Sequence, residues 1–462
     1  MIQSLQMPLV FFYTTLHDIV LTLPHLQELV LTFSEHLTNR EDFEGVCDFI
    51  SQNGYRLSSL EVSPTTHIGR LDSLSVWSLL EGCKVPESRL SRLLLARVRL
   101  DLDEMDEASR QILMRLDTLR LKAVYFSPYP FSSTGPSWMR PPQVYRRLTG
   151  CKVKTLEVNN CSSVLNVYQL MQDCQELRSL TWHSNGYPQS SELPSLMIRD
   201  LQAGLWPFLE SLDLNNDYFT DVELAHLFEV VGPLKDLTLD FSAFGDLSSV
   251  ALLEAGSGKH SKRMETLSLS RCSALDGVMV QRFLCEMPHL KVLRANFLTQ
   301  QNIEQDPRPW VCSQLEELRI AFLLEGVSIR SVIPLTNIIL DRLSGLSQLR
   351  ILEFLKTSNK ESMSEDCRYM ALRLDYGLDR LKILSGMEEL CLEQNTEQDF
   401  RVKEAQWIMD HWPRLKMIHL SSGSLHYNTK LDVMQFFRDR GVKAKWPGSY
   451  VWTFEDRLYE KK

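Results

Sequence analysis

Two cysteine pairs, Cys161 with Cys174 and Cys272 with Cys285, and the turn AGSGKH ending at His260 have the residue types of reactive machinery. A phosphate loop needs glycine five residues before Gly258 and Ser or Thr after Lys259, because backbone amides and a hydroxyl must surround the phosphates. Leu253 and His260 stand at those places, so AGSGKH reads as a turn. Each cysteine pair is spaced by thirteen residues, too far for the close ligand pairs of a zinc site. Small, weakly polar core residues are the better reading. Histidines 183, 289, 411, 419 and 426 form no local metalloprotease or triad signature. The expectation is a chain without catalytic residues, metal or cofactor.

Composition narrows the classes further. The 462 residues are 44% hydrophobic and 24% charged, with net charge −9. That balance suits a packed fold and argues against a phosphate-tracking surface, so nucleic acid is not expected as a partner. Ten scattered cysteines without a C-x-x-C pair read as reduced thiols. The opening segment lacks a basic leader region, and its apolar run is broken by His17 and Asp18. A cytoplasmic or nuclear protein that does not engage membranes is expected, and the sequon Asn160-Cys161-Ser162 is then coincidental.

The elements that would position any site come from a repeat. LPHLQELVL begins at Leu23 and MPHLKVLRA at Met287. Both are instances of L-x-x-L-x-L, whose first positions are Leu26, Leu57, Leu90, Leu116, Val153, Leu177, Leu209, Leu234, Met264, Leu290, Leu315, Leu349, Met387 and Leu415. The steps run from 24 to 38 residues and average about 30, a solenoid period. Alternation turns the fourth and sixth positions inward from a short strand and the residues between them outward. A helix should follow. After LDLNNDYFT, the residues Val222, Leu224, Ala225, Leu227, Phe228 and Val231 share one broad stripe, and Gly232-Pro233 ends it.

In these features the chain resembles leucine-rich repeat proteins of the ribonuclease-inhibitor-like class, and its best units are similar to the cysteine-containing subtype found in F-box proteins. METLSLSRCSALDGVMVQRFLCEMPHL places Cys272 where that subtype has Cys or Asn, and VKTLEVNNCSSVLNVYQLMQDCQEL does so with Cys161. Asn185 and Asn395 occupy the same place, whereas Ser34 and Asp217 depart from it. The resemblance implies an α/β leucine-rich repeat solenoid, a curved horseshoe with parallel strands on its concave face and helices on its convex face. About 15 irregular repeats are expected over residues 1–422, the first starting at Ile2, followed by a capping segment over 423–462. No F-box is found.

Candidate contact residues follow from alternation. Glu157, Asn159, Thr181, His183, Asp213, Asn215, Asp236 and Asp240 should project from the strand face, an acidic-leaning set suited to a basic segment of another protein. A Pro-rich insertion over 126–149 would offer Tyr129, Phe131, Trp138, Arg140 and Tyr145 as anchors. Expansions near 321–345 and 356–386 carry apolar helical spacing and should thicken the helical layer. The resemblance implies a non-catalytic protein–protein interaction scaffold, in its finer form the substrate-recognition part of an F-box-type ubiquitin ligase joined to ligase subunits through a separate N-terminal module. The alternative is a regulator of another enzyme, such as a small-GTPase activator.

Overall fold

The computed structural model describes residues 4–9, 25–33, 47–48, 50–64, 80–85, 87–100, 106–126, 148, 150–161, 164–183, 192–215, 219–326, 331–355, 368–392, 400–420 and 427–445. The chain divides into two compact units, residues 1–218 with 230–232, and 219–229 with 233–462.

The first unit contains β1 (Ser4–Leu9), β2 (Glu28–Phe33), β3 (Ser59–Pro64), β4 (Arg92–Ala96), β5 (Arg99–Leu100), β6 (Thr118–Lys122), β7 (Tyr125–Phe126), β8 (Thr155–Asn159), β9 (Ser179–His183) and β10 (Ser211–Asn215). β5 and β7 pair only with each other. The rest pair in chain order, all parallel and without a register slip. The fourth positions of the pattern therefore stack: Leu29, Leu60, Leu93, Leu119, Leu156, Leu180 and Leu212 form one fully buried row. Leu31, Val62, Leu95, Leu121, Val158, Trp182 and Leu214 form a second at the sixth positions. Each such side chain is worth about 1.5–3 kcal/mol of burial, and a one-residue slip would turn a row to the opposite face.

Helices Glu107–Arg115, Val164–Asp173 and Leu193–Gln202 return the chain between strands. The first is capped by Asp106, whose carboxylate accepts from the Ser109 amide at 2.8 Å. The return between β2 and β3 is α-helical over 50–53 and ends in the 3-10 turn Gly54–Arg56, and the next repeat has a 3-10 turn at Glu81–Cys83. A Cβ on Gly82 would sit 1.8 Å from the Ile50 carbonyl oxygen, so only glycine permits that approach.

The second unit contains β11 (Asp236–Thr238), β12 (Thr266–Ser268), β13 (Val292–Thr299), β14 (Glu317–Leu324), β15 (Ile351–Phe354), β16 (Arg368–Tyr369), β17 (Glu389–Cys391), β18 (Met417–His419) and β19 (Lys443–Lys445). Apart from β16 these pair in chain order and in parallel. Leu237, Leu267, Leu293, Leu318, Leu352, Leu390, Ile418 and Ala444 make the buried row. Helices Asp221–Val230, Asp246–Gly258, Gly277–Glu286, Gln300–Gln305, Val332–Leu343, Val402–His411 and Tyr427–Arg438 provide the other layer. One strand and one helical return per repeat make this an α/β leucine-rich repeat solenoid.

All fourteen first positions are followed by a strand, and β1 adds one at the amino end. β19 is a further strand in the segment expected only as a cap; Val442 and Ala444 supply its inward residues after the turn at Gly441. Two local expectations change, at Val222 and in the 356–386 expansion, while AGSGKH does break the helix as a turn would. Val222 is 49% exposed because it lies at the solvent side of the first helical turn, while Leu224, Leu227, Phe228 and Val231 carry the buried stripe. AGSGKH straddles a kink with Gly256 and Ser257 in left-handed conformation, and His260 beyond it is fully buried. The described part of the 356–386 expansion contains β16, antiparallel to the end of β14, and 3-10 turns at Leu374–Tyr376 and Leu378–Ile383. The reason lies in β14, where Ile320 to Leu324 are all buried, so that alternation ceases and the strand runs on to meet β16. Helix Val332–Leu343 agrees with the expected helical spacing.

Candidate functional site: the strand faces

Within the first unit the register aligns Arg120, Glu157, Thr181 and Asp213 in one outward row. Lys122, Asn159, His183 and Asn215 align in the next. Parallel strands lie about 4.8 Å apart, so neighbours in a row touch. Arg120 Nε donates to Glu157 Oε1 at 2.9 Å, and His183 Nε2 meets Asp213 Oδ1 at 2.8 Å, diagonally between the rows. Both partners of the His183–Asp213 pair are about one third exposed. Glu157 is thus partly neutralised by Arg120, and the His183 contact holds the Asp213 side chain in place. Of Asn215 only the backbone position is described, in register with His183.

The remaining two strand-face residues lie in the second unit. Asp236 opens β11 opposite Thr266. Asp240 Oδ1 accepts from Ser268 Oγ and the Ser270 amide, each at 2.8 Å, and so ties one repeat to the next. Tyr129, Phe131, Trp138, Arg140 and Tyr145 lie outside the described residues.

The same face of the second unit carries a charge network that alternation alone did not single out. Arg294 and Arg319 both donate to Glu317 Oε1 at 2.7 Å, and Arg319 also reaches Glu353 at 2.7 Å. Burial pushes the Glu317 carboxyl up, but the two guanidinium groups hold it below the usual carboxylate range. His419 lies at 2.9 Å from the Met417 sulfur and 3.9 Å from Glu389.

A second missed feature occupies the residue after each first leucine. In the second unit that place reads Lys235, Glu265, Lys291, Glu316, Arg350, Glu388 and Lys416, alternating in sign along the repeats. Glu265 contacts Lys235 at 3.6 Å and Lys291 at 2.7 Å. Arg350 contacts Glu316 at 3.2 Å and Glu388 at 2.8 Å, and Lys416 also reaches Glu388. In the first unit the same place gives Asp117 with Lys154 at 2.8 Å and Arg178 with Glu210 at 3.8 Å. The ladder was legible as a column of the repeat alignment, but only the parallel register makes its members neighbours. Arg350→Glu should lower the thermal midpoint at low salt by setting like charges beside Glu316 and Glu388. In 1 M salt, where screening falls to about 3 Å, most of that deficit should vanish. A salt-independent deficit would refute the ladder's electrostatic role.

Among the described residues no group of three or more His, Cys, Asp and Glu is arranged to hold a metal ion, and no helix is long and apolar enough to cross a membrane.

No protein-family model matches the sequence. No curated protein matches it. Among solved structures, a leucine-rich repeat protein of Leptospira interrogans aligns over 96% of this chain and 100% of its own, with 12% identity and a TM-score of 0.32. The mouse RP105/MD-1 complex aligns over 85% of this chain and 46% of that chain, with 16% identity and a TM-score of 0.30.

Proposed function

We propose that this chain is a non-catalytic protein–protein interaction scaffold whose partner lies across the strand face of the first unit. The observation that carries this reading is the set Arg120–Glu157, Thr181 and His183–Asp213, polar groups on adjacent strands held by register, by the Arg120–Glu157 ion pair and by the His183–Asp213 contact. Such preorganisation lowers the entropy lost on binding. Partly exposed Glu157 and Asp213 favour a basic segment of a protein partner. The segment 127–147, rich in proline, aromatic residues and arginine, supplies a second contact.

The finer form of the proposal is substrate recognition for an F-box-type ubiquitin ligase in the cytoplasm or nucleus. Its support is the sequence pattern with Cys161 and Cys272, whose Sγ atoms turn to the Leu121 and Leu239 carbonyls of the preceding repeat at 3.7 and 3.0 Å.

Affinity purification of the full chain, beside Glu157→Lys/Asp213→Lys and a variant lacking 127–147, tests both levels. The charge-reversal double variant should retain less than about one tenth of the partner, since two interfacial contacts together are worth more than 1.4 kcal/mol. Unchanged recovery would remove the strand face from the proposal. Co-recovery of ligase adaptor subunits supports the finer reading, whereas a small GTPase without them would replace it by a regulator of that enzyme.

A further inference from the structure

Cys151 and Cys174 are brought together by the fold of the first unit, although neither shares a motif with the other. Cys151 lies in the turn that leads into β8, and Cys174 follows the helix Val164–Asp173. Their Sγ atoms are 3.6 Å apart, and both residues are buried, with 3% and 0% exposure. The surroundings brace both ends. Asp173 Oδ2 accepts from the Leu148 amide at 2.6 Å, joining the helix end to the same turn. Cys174 Sγ lies 3.3 Å from the Leu170 carbonyl, and Cys151 Sγ lies 4.0 Å from the Leu113 carbonyl. Cys83, Cys161 and Cys272 instead point their sulfurs at backbone carbonyls of other repeats.

The structure assigns Cys151 and Cys174 as an oxidisable dithiol, a modification site at which a peroxide converts two thiols into a disulfide. A sulfur–sulfur bond of about 2.05 Å needs the two atoms to close by about 1.5 Å, a movement that rotation of two short side chains supplies most of. The reaction balances in two steps. The Cys151 thiolate attacks one oxygen of hydrogen peroxide; an S–O bond forms, the O–O bond breaks, and water leaves once protonated, so that Cys151 becomes a sulfenic acid. The Cys174 sulfur then attacks the Cys151 sulfur; the S–S bond forms, the S–O bond breaks, and hydroxide leaves with the Cys174 proton as water. Two thiols lose two electrons and two protons, and peroxide ends as two waters. The order of attack follows the environment: the contact from Cys174 favours the thiolate at Cys151, whereas the same contact and burial hold Cys174 protonated. The product would close β8 and the helix Val164–Asp173 into one covalent loop.

The test uses the full chain, treated with hydrogen peroxide, blocked with an alkylating reagent under denaturing conditions and digested without reductant. The expected result is a peptide linking Cys151 to Cys174 in most of the protein, returned to two alkylated peptides by dithiothreitol. The oxidised protein should also melt about 5 °C higher than the reduced one. In Cys174→Ser that rise should be lost and Cys151 should accumulate as sulfenic acid, trapped by dimedone. Mapping of the unmutated chain decides the matter even if the variant fails to fold. Two thiols that stay alkylatable, or that appear as sulfonic acids or in links to other cysteines, overturn the assignment.

Discussion

Trp206→Ala is expected to lower the stability of the first unit by about 3–5 kcal/mol, the range for emptying a buried aromatic site. The indole is 1% exposed, its ring stands edge-on to Tyr168 with centroids 6.2 Å apart, and its Nε1 donates to the Met171 carbonyl at 3.0 Å. Truncation therefore leaves a cavity and a buried carbonyl without that donor, and the second loss adds to the first. The cavity borders a polar cluster, in which the Tyr168 hydroxyl donates to Asp200 at 2.6 Å and Gln172 donates to the same carboxylate at 2.5 Å. Trp206 also has φ +52°, a left-handed backbone that costs an L residue about 1 kcal/mol. Glycine at this position should thus be no worse than alanine, reversing the usual order inside folded segments. Urea unfolding followed by circular dichroism measures both. A loss under about 1 kcal/mol for alanine would show that the site collapses around the missing ring.

His260 carries the second large effect, and it depends on pH. The ring is fully buried between two repeats of the second unit. Nε2 donates to the Phe228 carbonyl at 2.8 Å, while Nδ1 accepts from the Leu234 amide at 3.1 Å. That pattern demands the neutral Nε2–H tautomer. Burial pushes the imidazole pKa down from 6.5 to about 4, against the smaller pull of the Phe228 carbonyl. Above pH 6.5 the ring is neutral in both folded and unfolded chains and contributes no pH dependence. Between pH 6.5 and 4 the unfolded chain binds a proton that the folded chain refuses, so stability falls with falling pH, by about 3 kcal/mol in all. Below pH 4 the contribution levels off. His260→Leu should remove this slope and at pH 7 cost about 2–6 kcal/mol, because a buried amide and a buried carbonyl each lose a partner. Unfolding curves of both proteins from pH 7.5 to 4 compare the slopes. If the variant keeps the full slope, the titrating group is not His260.

The repeat alignment made much of these sites visible as places without making them visible as interactions. Three residues before the first leucine, nine repeats carry a buried apolar residue, among them Cys174, Trp206 and Trp412, whereas Gly150 in the same column is exposed. The alignment displays that column without saying which of its members are buried. It does not show that Trp206 and Trp412 reach carbonyls of the preceding repeat, at Met171 and Leu381, because that depends on how adjacent helices stack. His260 was read only as the wrong residue for a phosphate loop, and its clamping role required the kink at Gly256 and Ser257.

What the sequence by itself determined is the element order: one short parallel strand per repeat, its inward leucines, and the outward polarity of Glu157, Thr181 and Asp213. Alternation with period two is a local property, so each repeat writes it separately and fourteen copies reinforce one another. Tertiary structure alone decided which charges meet along the ladder, where β16 returns antiparallel, and that Cys151 lies beside Cys174. Those outcomes join residues 23 to 46 positions apart through stacking distance and side-chain direction, and neither quantity has a period that a single chain displays.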